Sequence, residues 1–403
     1  MDADNPTAEA VNAEADNAEA DNPTPEGVNA EAVNAAGFVT SLGGGPVSPA
    51  VADVIARACM RCYDVTELAG AAGERIARLA GAPAAAVTAG AAAGLVLGVA
   101  ACITGDDPAR ADALPVPPGA ARVVCQLTQA NSYERVVRLT GAELLRCGLP
   151  TRPGLGQTQA WELEAALASP GVVCVLHTVI DDPGAIPLRR VCEMAHARGI
   201  PVVVDAAAQL PPAGNLTRFL GAGADLVVFS GGKALRGPQA SGLVLGRPDL
   251  ISVIRRLQED TDADSEVWAA QGRGALWQQG IGRAMKVGPE TILGTEAALA
   301  EFLGRDHSAE AGEQESWLSS LAGGAGSWTV IPGGRAHFYP SLARTLKPAA
   351  ARGSWHALAA HVPSVRAVQS ELMAGILRIR PEAVLMTERE HVRAALERVS
   401  GQL

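Results

Sequence analysis

The sequence predicts an α/β fold: a large domain built on a mainly parallel β-sheet with helices on both faces, followed by a smaller C-terminal α+β domain. Three observations predict it. Short apolar, β-branched runs recur through the first two-thirds of the chain, as in RVVCQL (122–127), GVVCVLH (171–177) and IPVVVDAA (200–207). They are continuous rather than alternating, as expected of strands buried on both faces. Helical patterns separate them, which suits parallel crossovers. Beyond about residue 290 the rhythm changes to helices with short strands.

Taken in order, residues 1–32 repeat an Asn-Ala-Glu-Ala theme with almost no bulky apolar side chains. Such a segment cannot bury enough surface to offset chain entropy, and a disordered acidic tail is expected there. The large domain is expected over 33–288 and the small one over 289–403. A helix is expected from Pro49, carrying Val51, Ile55, Ala58 and Cys62 on one side, with the Cys59–Cys62 pair inside a helical stretch from Val51 to Leu68. A second helix runs through Glu74–Leu79 and stops near Gly81. AAAVTAG (84–90) reads as a strand turning into a helix at Ala91. Helices are expected over Tyr133–Thr140 and Leu188–Arg198, and further strands in ADLVVFSGG (224–232) and SGLVLG (241–246).

The bulk numbers narrow the function. A chain of 403 residues, 48% of them apolar, can build a substantial core. A net charge of -10 disfavours nucleic acid as a partner. Seven cysteines at irregular spacing make neither a disulfide framework nor a zinc site, so no metal is expected. The N-terminus lacks the basic and apolar regions of a secretory signal. The run Val87–Ile103 falls short of a membrane span and reads as a buried helix. The expected setting is the cytoplasm.

The chemistry concentrates in VVVDAAAQLPP…GADLVVFSGGKALRGPQASGLVLG, residues 202–246. Asp205 ends one buried strand, and Lys233 follows the next. In open α/β sheets ligands sit outside the carboxyl ends of the strands, so both side chains are expected in one crevice. Alone, each has a plain structural reading, as a turn former and a loop lysine; their order on neighbouring strands is what joins them. A lysine amine, a carboxylate for a pyridine nitrogen and a cradle for a phosphate are the three things pyridoxal 5′-phosphate (PLP) asks of a protein. Lys233 supplies the first as a Schiff base, and Asp205 the second. The Thr88–Ala92 turn supplies the third, with the free amides of Gly90, Ala91 and Ala92 at a helix N-terminus. Ser230 adds a hydroxyl donor, and Ala207 is small enough to lie beneath the ring.

This stretch resembles fold-type I PLP enzymes, and within them the selenocysteine synthase-like group that includes D-glucosaminate-6-phosphate ammonia-lyase-type proteins. The resemblance also covers VNAAGFVTSLGG, AAGERIARLAGAPAAAVTAGAAAGL and GIGRAMKVG, running from about Val33 to the C-terminus. It implies Lys233 as the cofactor lysine, Asp205 as partner of the ring nitrogen, and Gln129 where relatives often place an aromatic or histidine ring. It implies a homodimer or higher homo-oligomer, with Gly237-Pro238-Gln239 reaching a neighbour's cofactor, and Lys286 lining the pocket. Ala89 stands where relatives carry a serine.

The freed lysine amine is expected to act as base on the Cα–H of an amino acid or amino sugar acid. The resemblance favours β-elimination or β-replacement; aminotransferase and racemase chemistry remain alternatives, as does a non-catalytic PLP-binding partner protein. A substrate carboxylate wants an arginine fork. Arg335, Arg378 and Arg380 lie in the C-terminal block, and Arg378, within GILRI, is the expected one. Among the histidines only His177, at a strand end, suggests a site role.

Overall fold

A computed structural model of the chain describes residues 31–152, 155–180, 182–262, 264–271, 277–323, 328–334 and 337–400. The acidic repeat up to residue 30, and Arg335, lie outside them.

The centre is a seven-stranded sheet. Its strands are β2 (Ala84–Thr88), β3 (Arg122–Gln126), β4 (Glu143–Cys147), β7 (Val172–Thr178), β8 (Val202–Asp205), β9 (Leu226–Ser230) and β10 (Gly242–Gly246), in the spatial order β2-β10-β9-β8-β7-β3-β4. All pairings from β9 across to β4 are parallel, whereas β10 runs antiparallel between β9 and β2. The expectation of a mainly parallel sheet therefore holds, with one reversed strand. A small hairpin, β5 (Leu149–Arg152) with β6 (Leu155–Gln157), follows β4. The edge strand β4 carries no clear strand signal, because exposed Glu143 and Arg146 flank only two partly buried leucines.

Burial on both faces explains the continuous apolar runs. Along β8, Val203 faces one core and Val204 the other; Val227 and Val228 divide in the same way on β9. Helix Ala91–Thr104 is buried on nearly every side. Gly94 lets it approach the sheet: a methyl group there would sit 2.8 Å from Val228 and 3.0 Å from Val244. Among the described residues no helix is long and apolar enough to cross a membrane.

The helix around Val51 stops at Cys59, and a second begins at Val65 under an Asp64 cap. The Cys59–Cys62 pair is therefore not inside one helix; Cys62 lies in the exposed link. Polar Arg61 and the capping Asp64 interrupt the apolar stripe that suggested continuity.

The third core belongs to the C-terminal block. Strands β11 (Thr329–Ile331), β12 (Ser341–Thr345) and β14 (Ile376–Ile379) form an antiparallel sheet, and β13 (Ser364–Ala367) pairs with β1 (Ala32–Ala35) in parallel. Val33 and Ala35 are packed with Leu342, Val365, Leu377 and Leu396. The first described strand thus belongs physically to the last part of the chain.

Phe229 is fully buried on β9, four residues before Lys233. Phe229→Ala should cost about 3–5 kcal/mol in chemical denaturation. Trp161→Ala, at a side chain 66% exposed, should change stability by no more than about 0.5 kcal/mol.

Candidate active site

Parallel strands end together, and their ends carry the site. Thr178 on β7 is level with Asp205 on β8, and Asp205 with Val228 on β9. Because β10 is reversed, its first residue, Gly242, lies between Thr88 of β2 and Ser230 of β9. One edge of the sheet therefore collects the phosphate turn, Ser230, Asp205 and His177.

Each group is held in place by local structure. Asp205 is buried, and its Oδ1 accepts the amide of Ala207 at 3.1 Å. Lys233 sits in a loop stitched from three directions. Gly237 N–H donates to Gly231 O at 2.9 Å, Arg236 N–H to Lys233 O at 2.9 Å, and Gly45 N–H, from the N-terminal segment, to Gly232 O at 2.9 Å. The glycines are required for closeness: a Cβ on Gly232 would lie 2.5 Å from the Gln239 carbonyl, and one on Gly44 2.2 Å from that of Gly232. Arg236, just after the lysine, adopts φ +56, a conformation that non-glycine residues rarely take. Gln239 is exposed, with Nε2 3.5 Å from the Thr40 carbonyl.

Burial shifts both charged groups toward neutrality. It raises the Asp205 carboxyl above its usual range and lowers the Lys233 amine; their mutual attraction opposes each shift. A ring bearing a protonated nitrogen fits beside this carboxylate, and a lysine with a depressed pKa is suited to imine formation. At the phosphate end, helix Ala91–Thr104 starts at Gly90 with φ 108 and no side-chain cap. A Cβ on Gly90 would meet nothing within 4 Å, so open space lies beside the turn, next to the free first-turn amides of Ala91 and Ala92. Gly242 closes the opposite side, where a Cβ would come within 2.5 Å of Gly90. The residues present fit PLP at ring, amine and phosphate.

Gln129 and His177 form a buried pair. Gln129 Oε1 accepts the Thr178 amide at 3.2 Å, and its Nε2 donates to the imidazole at 3.2 Å. Gln126, on β3, reaches the same ring at 3.5 Å and clasps Ile186 through both ends of its amide. Burial pushes His177 down to about 4, so the ring is neutral at physiological pH.

A cavity of about 470 Å³ opens beside Lys233. Its walls come from the N-terminal segment (Phe38), the β8–β9 connection (Gln209, Arg218) and the C-terminal block (Tyr339, Arg380, Glu382). Two expected residues go elsewhere. Arg378 is held by Glu371, with Nη2 at 2.8 Å and Nε at 2.9 Å, and by Ser341 at 2.8 Å; it does not line this cavity. Its charge is already matched by a carboxylate, whereas Arg380, two residues on, faces the cavity and stacks its Nη atoms against His337. Lys286 lines the larger neighbouring cleft of about 1100 Å³, with Arg255, Arg283 and Ala89 of the phosphate turn. The sequence reading missed Glu382 and Arg218 altogether. Neither sits in a motif; each is brought in by a distant part of the fold.

Comparison with known proteins agrees with the geometry. A family model for aminotransferase class-V domains matches residues 149–278. The chain is 30% identical over 374 residues to 5'-C-glycyluridine monooxygenase-decarboxylase from Streptomyces sp, covering 89% of this chain and 87% of that protein. It is 30% identical over 278 residues to D-glucosaminate-6-phosphate ammonia lyase from Salmonella typhimurium, covering 66% of each. A solved D-glucosaminate-6-phosphate ammonia-lyase superimposes with a TM-score of 0.75 at 25% identity, over 92% of this chain and 96% of that one.

The neutral His177 makes a pH-dependent prediction. Its folded pKa lies below the ordinary value of about 6.5, so the unfolded chain takes up the proton first on acidification. Stability should fall as pH drops from about 6.5 toward 4, by roughly 2–3 kcal/mol at pH 4.5. In denaturant titrations at pH 7 and 4.5, His177→Gln should remove that part of the loss.

Proposed function

Because this chain belongs to the fold-type I family of PLP-dependent enzymes, we propose that it removes the Cα proton of an amino acid or amino sugar acid with Lys233 and then carries out lyase-type chemistry at Cβ. The observation that carries this reading is that buried Asp205 and half-buried Lys233 lie at the same end of the sheet, with an uncapped helix N-terminus there too. When bound, PLP supplies an electron sink conjugated to the substrate's amine. The protein does the rest. Asp205 keeps the ring nitrogen protonated, and the Gly90–Ala92 amides and Ser230 hold the phosphate. Gln129 and Ala207 border the ring. The Lys233 amine, lowered by burial, is the group placed to accept the proton from Cα.

Arg380 is the carboxylate fork in this reading, in place of Arg378. It faces the Lys233 cavity, and Arg218 adds a second guanidinium to the same walls. The reading includes a homodimer, in which the exposed Gln239 is the residue of the Gly237–Gln239 loop free to meet a second copy. Seven unpaired cysteines suit a reducing interior such as the cytoplasm.

Absorbance of the purified protein tests the assignment. The wild type should show a near-visible band from lysine-bound cofactor, absent in Lys233→Ala, and the variant should lose ~10²–10⁴ in turnover. Arg380→Ala should keep the band but lose about 30-fold or more in kcat/KM, mostly through KM; an unchanged kcat/KM would exclude it as the fork.

A second reading has one observation behind it. The Streptomyces relative, aligned over 89% of this chain, is named a monooxygenase-decarboxylase. Oxidative loss of the carboxyl carbon would start from the same Cα deprotonation and consume dioxygen. An oxygen electrode separates the two: under the lyase reading turnover is the same in anaerobic buffer, and under the oxidative one it stops.

A further inference from the structure

The cavity beside Lys233 has a buried, unpartnered polar atom that the chemistry above leaves unused. Glu382 follows β14 and lines the cavity together with Lys233 and Arg380. The side chain is buried, and Oε2 has no hydrogen-bond partner. Three other polar side chains in the walls are engaged. Tyr339 O–H donates to Glu310 at 3.1 Å, Asn215 Nδ2 to Gln209 O at 2.6 Å, and Gln209 Nε2 to Val179 O at 3.0 Å. A buried oxygen without a partner is costly, and a ligand that supplies the partner recovers that cost.

The carboxyl also packs closely against the N-terminal segment. The turn after β1 presses on it at Gly37, where a Cβ would meet Oε1 at 2.8 Å; φ there is +83, so glycine suits the conformation as well as the space. Ala36 bridges Arg380, and Arg380 N–H donates to Ala35 O at 2.9 Å. The Asn34-Ala35-Ala36-Gly37 motif therefore serves to back Glu382 and Arg380 as a pair.

We propose that Glu382 binds a hydroxyl on the side chain of the substrate, and so selects hydroxylated amino acids over their deoxy counterparts. This rests on the reading of Lys233 and Arg380 given above. With the Cα proton at Lys233 and the carboxylate on Arg380, the substituent left to meet Glu382 is the side chain. A neutral partner fits better than a cationic one, because Arg380 already places positive charge nearby. Burial raises the carboxyl toward its neutral form, which both donates and accepts, as a hydroxyl does.

The test uses PLP-loaded protein and two probe pairs, serine with alanine and homoserine with 2-aminobutyrate, each as both enantiomers. Dissociation constants come from the change in the cofactor absorbance. In the wild type the hydroxylated member of at least one pair should bind about ten-fold more tightly. Glu382→Leu should abolish that preference while leaving the deoxy member within about two-fold. Glu382→Gln, which keeps the shape and a hydrogen bond, should retain part of it, and carries the test if the leucine variant does not hold the cofactor. No preference in the wild type, a preference that survives in both variants, or equal weakening of both members would overturn the proposal. Failure of the underlying site assignment looks different: the cofactor band would then persist in Lys233→Ala, whatever the selectivity at position 382.

Discussion

Two opposite charges, Asp205 and Lys233, are withdrawn from water at one edge of the central sheet, and neither is satisfied by the other alone. Burial penalises each, raising the carboxyl and lowering the amine. A cofactor with a protonated ring nitrogen and a carbonyl carbon relieves both at once. Much of the surrounding structure keeps this arrangement in place. The parallel strands set Asp205 level with Val228, in the strand whose following loop carries Lys233, and the glycines at 44, 231, 232 and 242 let backbone close in where side chains would not fit. The N-terminal segment ties down the lysine loop through Gly45.

The site divides into two parts with different origins. On the proposed reading, the cofactor side would be built almost entirely from strand ends of the seven-stranded sheet and the helix that follows β2, and the substrate side from Phe38, Tyr339, Arg380 and Glu382, which line the cavity beside Lys233 from the N-terminal segment and the C-terminal block. Chemistry common to a family can stay with the first part while the second varies. The relatives fit that division: an ammonia lyase and a monooxygenase-decarboxylase both align at 30% identity with this one chain.

How much of this was legible in the sequence follows the same line. Asp205, Lys233 and the Gly90 turn could be read because each is a strand end or a strand-to-helix turn, where local pattern and chemistry coincide. The reversed strand β10 and the edge strand β4 were harder: direction leaves no trace in a short apolar run, and an exposed edge lacks one. Arg378 and Arg380 are indistinguishable by sequence, since both sit in GILRIRP; the difference is made by Glu371, which reaches back to neutralise the first and not the second. Glu382 follows a proline at the end of a strand, where a carboxylate usually faces solvent. The distant turn at Gly37 packs against it there. Lys286 lines the neighbouring cleft together with Ala89 of the phosphate turn, rather than the cavity beside Lys233.

The pairing of β1 with β13 has a consequence for how the molecule comes into being. Ala32 finds its partner at Ser364, so the strand made early waits for nearly the whole chain to leave the ribosome. The seven-stranded sheet, complete by Gly246, has no such wait. A nascent chain can therefore assemble the end of the sheet that carries Asp205 and Lys233 while the contact of Gly37 with Glu382 does not yet exist. On the proposed reading, the protein would acquire its reactive centre during synthesis before the wall that selects what reaches it.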